Sequence, residues 1–215
     1  MMNNNHWNEK TWYVYGTSMS NPDWGGYVET VEKLSGLKVV NNSIPGGSIT
    51  PSGYGKGNLK PRIMNMDDGK ENADLITLEL LPNEGAPVGD IYAEDNESFC
   101  GCFNQCIRYL QKNTNAQIVV IIMIGGNQQR PEIPYNGRGI TEFEFAEIIE
   151  RVAHFNGVPV INAFAESGFG WARVADRKYQ VDQIHFNEVG RLNMGKYIWS
   201  KLKDIPTWET EIIDD

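Results

Sequence analysis

The stretch WYVYGTSMSNPDWGGYVETVEKLSGLKVV, residues 12–40, decides the fold. It opens with a short apolar run, Trp12 to Tyr15, and breaks at Gly16-Thr17-Ser18. A helical pattern follows over Gly26 to Leu34, and a second apolar run, Leu37 to Val40, closes it. A run that is apolar at every position suits a strand covered on both faces, and such strands belong to parallel sheets. Strand, helix and strand in that order predict a right-handed crossover unit of an α/β fold.

The same alternation continues along the chain. Ala73 to Leu81, Ala116 to Ile124 and Val158 to Phe164 are three further strand candidates. A helix over Glu97 to Lys112 gathers Phe99, Phe103, Cys106, Ile107 and Leu110 on one face. The next starts at Thr141, which has capping-box spacing to Glu144, and turns Phe145, Ile148, Ile149 and Val152 inward. The last runs from Glu188 to Lys203 behind Asn187 as its cap. No repeat and no Pro/Ser linker divides the 215 residues. The expectation is one domain over 1–215, a three-layer αβα sandwich around a doubly wound sheet of about five parallel strands.

Composition narrows the partners. Lys plus Arg number 19 against 28 for Asp plus Glu, a net charge of -9. That sign repels nucleic-acid backbones and anionic membrane surfaces, so neither is an expected partner. The longest aliphatic run, Ile118 to Ile124, has seven residues, against about 20 for a membrane helix. The start, MMNNNHWNEK, is polar and lacks the basic-then-apolar order of a secretory signal, so a cytoplasmic location is the default expectation. Cys100, Cys102 and Cys106 are an odd, clustered set, read as reduced core thiols; no His or Cys nearby completes a metal site. No metal or cofactor is expected.

Ligands on doubly wound sheets bind beyond the carboxyl ends of the strands, so the polar groups there matter most. After the first strand, Ser18 sits on the expected turn into the first helix. After the second, in NNSIPGGSIT, Gly46 and Gly47 let a backbone approach a ligand and present an open N–H. After the third, in LELLPNEG, Asn83 offers an amide donor. Ahead of the last helix, VDQIHFNEVG offers Asp182 and His185 three residues apart, so the Asp can hold one ring nitrogen of the His while the other serves a nucleophile. Each piece has an ordinary alternative as a turn or capping residue. Their coincidence at one sheet edge points to acyl transfer.

These blocks resemble the GDSL/SGNH hydrolase family, which contributes a serine, a glycine, an asparagine and a D-x-x-H pair in that order. The matching stretches are GTSMS around Ser18, IPGGSIT with Gly46, LPNE with Asn83, and DQIH with Asp182 and His185. The resemblance implies a flavodoxin-like fold and a metal-free serine esterase, lipase or carbohydrate deacetylase. It casts Ser18, Asp182 and His185 as the triad and the Ser18 and Gly46 N–H groups with Asn83 as the oxyanion hole. Two blocks depart from the family: Thr17 replaces the middle residue of Gly-Asp-Ser, and Leu81-Pro82-Asn83-Glu84 replaces Gly-x-Asn-Asp.

The expected partner is therefore a small-molecule or carbohydrate ester, with Thr17, Gly47, Tyr54 and Trp171 as pocket residues. Two alternatives remain at this point. One is a non-catalytic binding module on the same fold, a cell-surface or phage-particle component, favoured by Thr17 and Leu81. The other is an acyltransferase. Trp24 is read as packing, His6 and His154 as structural, and the Glu142, Glu144, Glu147 and Glu150 face as solvated.

Overall fold

A computed structural model describes residues 5–51, 57–82, 85–124, 139–169, 178–182 and 184–207. Strand β1 (Thr11–Tyr15) leads through a short 3-10 helix, Pro22–Trp24, to α1 (Val28–Ser35) and back to β2 (Lys38–Asn41). A two-residue parallel pair follows, β3 (Gly47–Ser48) with β4 (Gly57–Asn58), and then the short α2 (Leu59–Ile63). The remaining order is β5 (Leu75–Leu80), α3 (Phe99–Asn113), β6 (Gln117–Ile122), α4 (Glu142–Phe155), β7 (Val160–Asn162), α5 (Ala163–Glu166) and α6 (Glu188–Leu202).

The main sheet has the order β2-β1-β5-β6-β7 and every pairing is parallel. Counting only its members, this is the 2-1-3-4-5 order of a flavodoxin-like sheet, whose direction of winding reverses between β1 and β5. A crevice opens at such a reversal because the connections leave to opposite sides. Ser18 follows one of these two strands and Asn83 the other.

Alternation along the strands fills two apolar layers. Tyr13, Tyr15, Ile76, Leu78 and Leu80 face α3 and α4 among others. Trp12, Val14, Leu75, Val119 and Ile121 face the layer of α1 and α6. Burial of both faces explains the continuous apolar runs, since each face removes its own side chains from water. The chain's start is tied in as well: Trp7 is fully buried and its indole N–H donates to the Leu202 carbonyl at 3.1 Å.

The expected ends hold with small shifts. Thr141 and Glu144 form the capping box in both directions, and Asn187 caps α6 by accepting from Gly190 N–H at 2.9 Å. The last strand is shorter than its apolar run suggests. Asn162 ends β7 and caps α5 by accepting from Ala165 N–H at 3.0 Å, so Phe164 is helical. Glu142, expected in solvent, is buried, because the capped first turn of α4 lies against the body of the protein. Cys100, Cys102 and Cys106 are all buried and unbridged. Among the described residues no His, Cys, Asp and Glu cluster is arranged to hold a metal ion, and no helix is long and apolar enough to cross a membrane.

Candidate active site

Ser18 lies three residues beyond the end of β1, in a turn closed by Ser20 N–H to the Thr17 carbonyl at 3.3 Å. Asn21 N–H to the Ser18 carbonyl, at 3.2 Å, extends it. The turn does not run straight into α1, as the sequence suggested. The 3-10 helix intervenes, capped by Asn21, and α1 starts only at Val28 behind Tyr27. Ser18 is therefore not a helix cap, and its hydroxyl has a different partner.

That partner is His185. Its Nε2 lies 2.9 Å from Ser18 Oγ, although 167 positions separate the two residues. On the other side of the ring, Nδ1 lies 2.7 Å from Asp182 Oδ2. An ionised carboxylate only accepts, so Nδ1 carries the proton and Nε2 presents a lone pair to the serine hydroxyl. The remaining Asp182 oxygen accepts the backbone N–H groups of His185 at 2.7 Å and Ile184 at 3.0 Å. Partial burial works against the Asp182 charge, but the bonds from the His185 ring and from these backbone N–H groups prevail and hold its carboxyl below the usual range.

The turn bearing this pair is pinned at both ends. Val181 N–H donates to the His185 carbonyl at 3.0 Å, and the Gln180 side chain donates to the Ile184 carbonyl at 3.1 Å. Asn187 N–H then donates to the Tyr179 carbonyl at 2.9 Å, joining the turn to the start of α6. Trp24 completes the setting. Its ring centroid is 4.7 Å from that of His185, while 48% of the residue stays exposed. Sequence reading treated Trp24 as mere packing; its place after Asn21-Pro22, so soon after Ser18, was the available signal.

Gly46 sits in a left-handed conformation, φ 69°, in a tight turn whose Gly47 N–H donates to the Ile44 carbonyl at 2.7 Å. A side chain would strain there, so the glycine is required by the backbone. Ile44 N–H donates to the Gly16 carbonyl at 2.8 Å, which seats this loop beside the serine turn. Among the described residues nothing accepts the Ser18 or Gly46 N–H, whereas the Gly47 N–H is spent on its turn. Asn83, Tyr54 and Trp171 lie outside the described residues. Leu81 packs against the apolar layer shared with α1 and α6.

Thr17 requires a correction. Expected at the pocket wall, it is 3% exposed and turns inward to Glu79, a residue that the sequence reading passed over. Glu79 is on β5 and fully buried. Its Oε2 accepts Thr17 N–H at 2.8 Å and the Ser20 hydroxyl at 2.7 Å, and both of its oxygens lie 3.1 Å from Thr17 Oγ1. Burial raises this carboxyl above its ordinary value, and the bonds from Ser20 and Thr17 oppose the rise.

No protein-family model matches the sequence, and no curated protein matches it. Solved structures do. A protein from Lactobacillus plantarum is similar over 91% of this chain and 97% of its own, with TM-score 0.76 and 21% identity. A lipase/acylhydrolase from Enterococcus faecalis is similar over 90% and 95%, with TM-score 0.60 and 17% identity. An acetylxylan esterase from Geobacillus stearothermophilus, crystallised as a catalytic mutant, is similar over 95% and 98%, with TM-score 0.60 and 12% identity.

The chain shares its fold with these proteins. Within it, the described site residues stand beyond the carboxyl ends of the strands, beside the reversal between β1 and β5, where this sheet order favours ligand binding.

Proposed function

We propose that this protein is a serine esterase of the GDSL/SGNH hydrolase family that removes a small acyl group, acetyl above all, from a carbohydrate ester. The observation that carries the reading is the continuous relay from Asp182 through His185 to Ser18, with links of 2.7 and 2.9 Å. A binding module has no use for a serine hydroxyl aimed at an imidazole whose other nitrogen is held by a carboxylate. The carbohydrate part leans on the acetylxylan esterase among the structural neighbours.

In this mechanism His185 Nε2 takes the Ser18 proton as Oγ attacks the ester carbonyl carbon, and Asp182 stabilises the imidazolium. The carbonyl oxygen becomes an oxyanion, held by the Ser18 and Gly46 N–H groups and the Asn83 amide, each worth about 3 kcal/mol in the transition state. Collapse breaks the bond to the alcohol oxygen, which takes its proton from His185 and leaves an acyl-Ser18. Water, deprotonated by His185, then releases the acid and restores the serine. The departing alcohol must lie within reach of Nε2, hence on the His185 side, where the exposed Trp24 face offers a platform for a sugar ring.

The test is covalent. The wild type and Ser18→Ala are incubated with a fluorophosphonate and their intact masses read. One adduct on the wild type alone is the expected result. A folded wild type with no adduct overturns the reading and favours the binding module. Product analysis with an added acceptor alcohol separates hydrolysis from acyl transfer.

A further inference from the structure

We infer that Glu79 is the positioning residue of the nucleophile turn, a buried carboxylate that clamps Thr17 and Ser20 on either side of Ser18 and thereby aims its hydroxyl and its N–H. The inference rests on the serine-esterase reading and assigns the fixing of its nucleophile to a strand residue 61 positions away, as 79 less 18.

The starting point is a cost. Glu79 occupies a face of β5 that otherwise meets the apolar α1 and α6 layer, and it is fully buried. Among the described residues no Lys or Arg pairs with it. A buried charge without a cation is expensive, and an apolar side chain of similar volume would serve stability as well or better. What the carboxylate obtains instead is a set of donors drawn entirely from the five residues Gly16 to Ser20.

The donor assignments are consistent. Thr17 Oγ1 accepts from Met19 N–H at 3.2 Å, so its single proton is available to Glu79. Ser20 Oγ has a partner at 2.7 Å in Glu79 and one at 3.5 Å in Tyr27, so its proton goes to Glu79. The space for the carboxylate is provided by Gly16. A Cβ there would stand 2.6 Å from Glu79 Oε2 and 2.5 Å from Ser20 Oγ.

Geometry then carries the effect to Ser18. With Thr17 and Ser20 both fixed to Glu79, the Thr17 carbonyl faces Ser20 N–H. In a trans peptide the C=O and the following N–H point in opposite directions, so the Ser18 N–H is directed away from Ser20, out of the turn. That is the direction an oxyanion donor needs, and it is set before any substrate arrives. Thr17 is the matched partner in this arrangement, because an acidic residue at position 17 would press a second carboxylate against the first inside the protein.

The experiment follows labelling rate by a fluorophosphonate, and kcat and KM for p-nitrophenyl acetate, in the full chain. Glu79→Gln keeps the shape but replaces an acceptor by a donor facing Ser20 and Thr17. It is expected to lower kcat and the labelling rate about 10- to 100-fold with KM within about twofold, since the effect is on orientation and not on binding. Thr17→Asp is expected to lose at least as much, and Thr17→Asp with Glu79→Gln to regain part of it, because only one carboxylate then remains. General structural damage would add in the double variant and not reverse. If Glu79→Gln does not fold, Thr17→Val and Ser20→Ala each remove one donor and should slow labelling severalfold while Thr17→Ser retains it. Wild-type kcat in Glu79→Gln, or in both single-donor variants, overturns the inference and leaves the esterase reading standing. A wild type that takes no adduct overturns both.

Discussion

Two turns meet at the Ser18–His185 hydrogen bond, and they are built in opposite ways. The Asp182–His185 turn is local: its carboxylate bonds residues two and three positions on, and Asp182 itself remains 45% exposed at the side chain. The Ser18 turn is buried and is held from below by Glu79, through bonds that span 59 and 62 positions. A local turn can form from its own few residues, whereas the serine turn needs the sheet assembled before its anchor exists. The His185 ring is therefore positioned by short-range chemistry and the Ser18 hydroxyl by the fold.

The contrast can be broken first at its junction. Ser18→Ala or His185→Ala removes the shared bond, and esterase turnover should fall by roughly 10⁵ to 10⁶, measured as kcat on p-nitrophenyl acetate. Asp182→Asn touches the local turn alone. It should cost about 10³ to 10⁴ in kcat through loss of the correct tautomer and of imidazolium stabilisation, with the fold retained by circular dichroism. In the proposed mechanism Asn83→Ala deletes a transition-state donor, so kcat should drop about 10²-fold with KM little changed. Unchanged turnover in a folded Asn83→Ala protein would remove that residue from the oxyanion hole. Trp24→Ala strips the face of His185 and should reduce kcat/KM about 2- to 10-fold, more for sugar acetates than for p-nitrophenyl acetate.

The smallest effect sharpens the comparison most, because the two carboxylates respond to pH with opposite sign. Asp182 is held below its ordinary value, so its contribution to stability is present above that value and is lost as pH falls through the lowered one. Glu79 is raised, so between its ordinary and raised values the folded protein keeps a proton that the unfolded chain has released. Stability is therefore lost as pH rises from the ordinary value to the raised one. Denaturant midpoints across the acidic range should show Asp182→Asn losing its disadvantage toward low pH and Glu79→Gln improving relative to wild type as pH rises. Parallel slopes would mean that the two environments do not differ as described.

Much of the scaffold is legible in the residues. Continuous apolar runs and 3.6-residue periodicity locate the five sheet strands and the four longer helices, and the Thr141/Glu144 and Asn187 caps form where their spacing says. Polar Thr77 and Glu79 interrupt the third apolar run at alternate positions. They point to one face of β5, where Thr77 accepts from the Trp12 indole at 2.9 Å and Glu79 holds the serine turn. Without knowing that Tyr15 lies opposite Leu78, nothing singles Glu79 out from any other strand glutamate. The end of β7 was misplaced for a related reason: Phe164 looks like a strand residue until Asn162 is seen to cap the turn that follows.

The sequence by itself determined the α/β alternation, the strand-end location of Ser18, and the Asp182–His185 pairing, because periodicity and a three-residue spacing are properties of neighbours along the chain. Only the tertiary structure decided that His185 reaches Ser18 across 167 positions, that Trp24 lies on the imidazole, and that Thr17 answers to Glu79. Those contacts depend on strand order and register, which set distances between residues far apart in sequence.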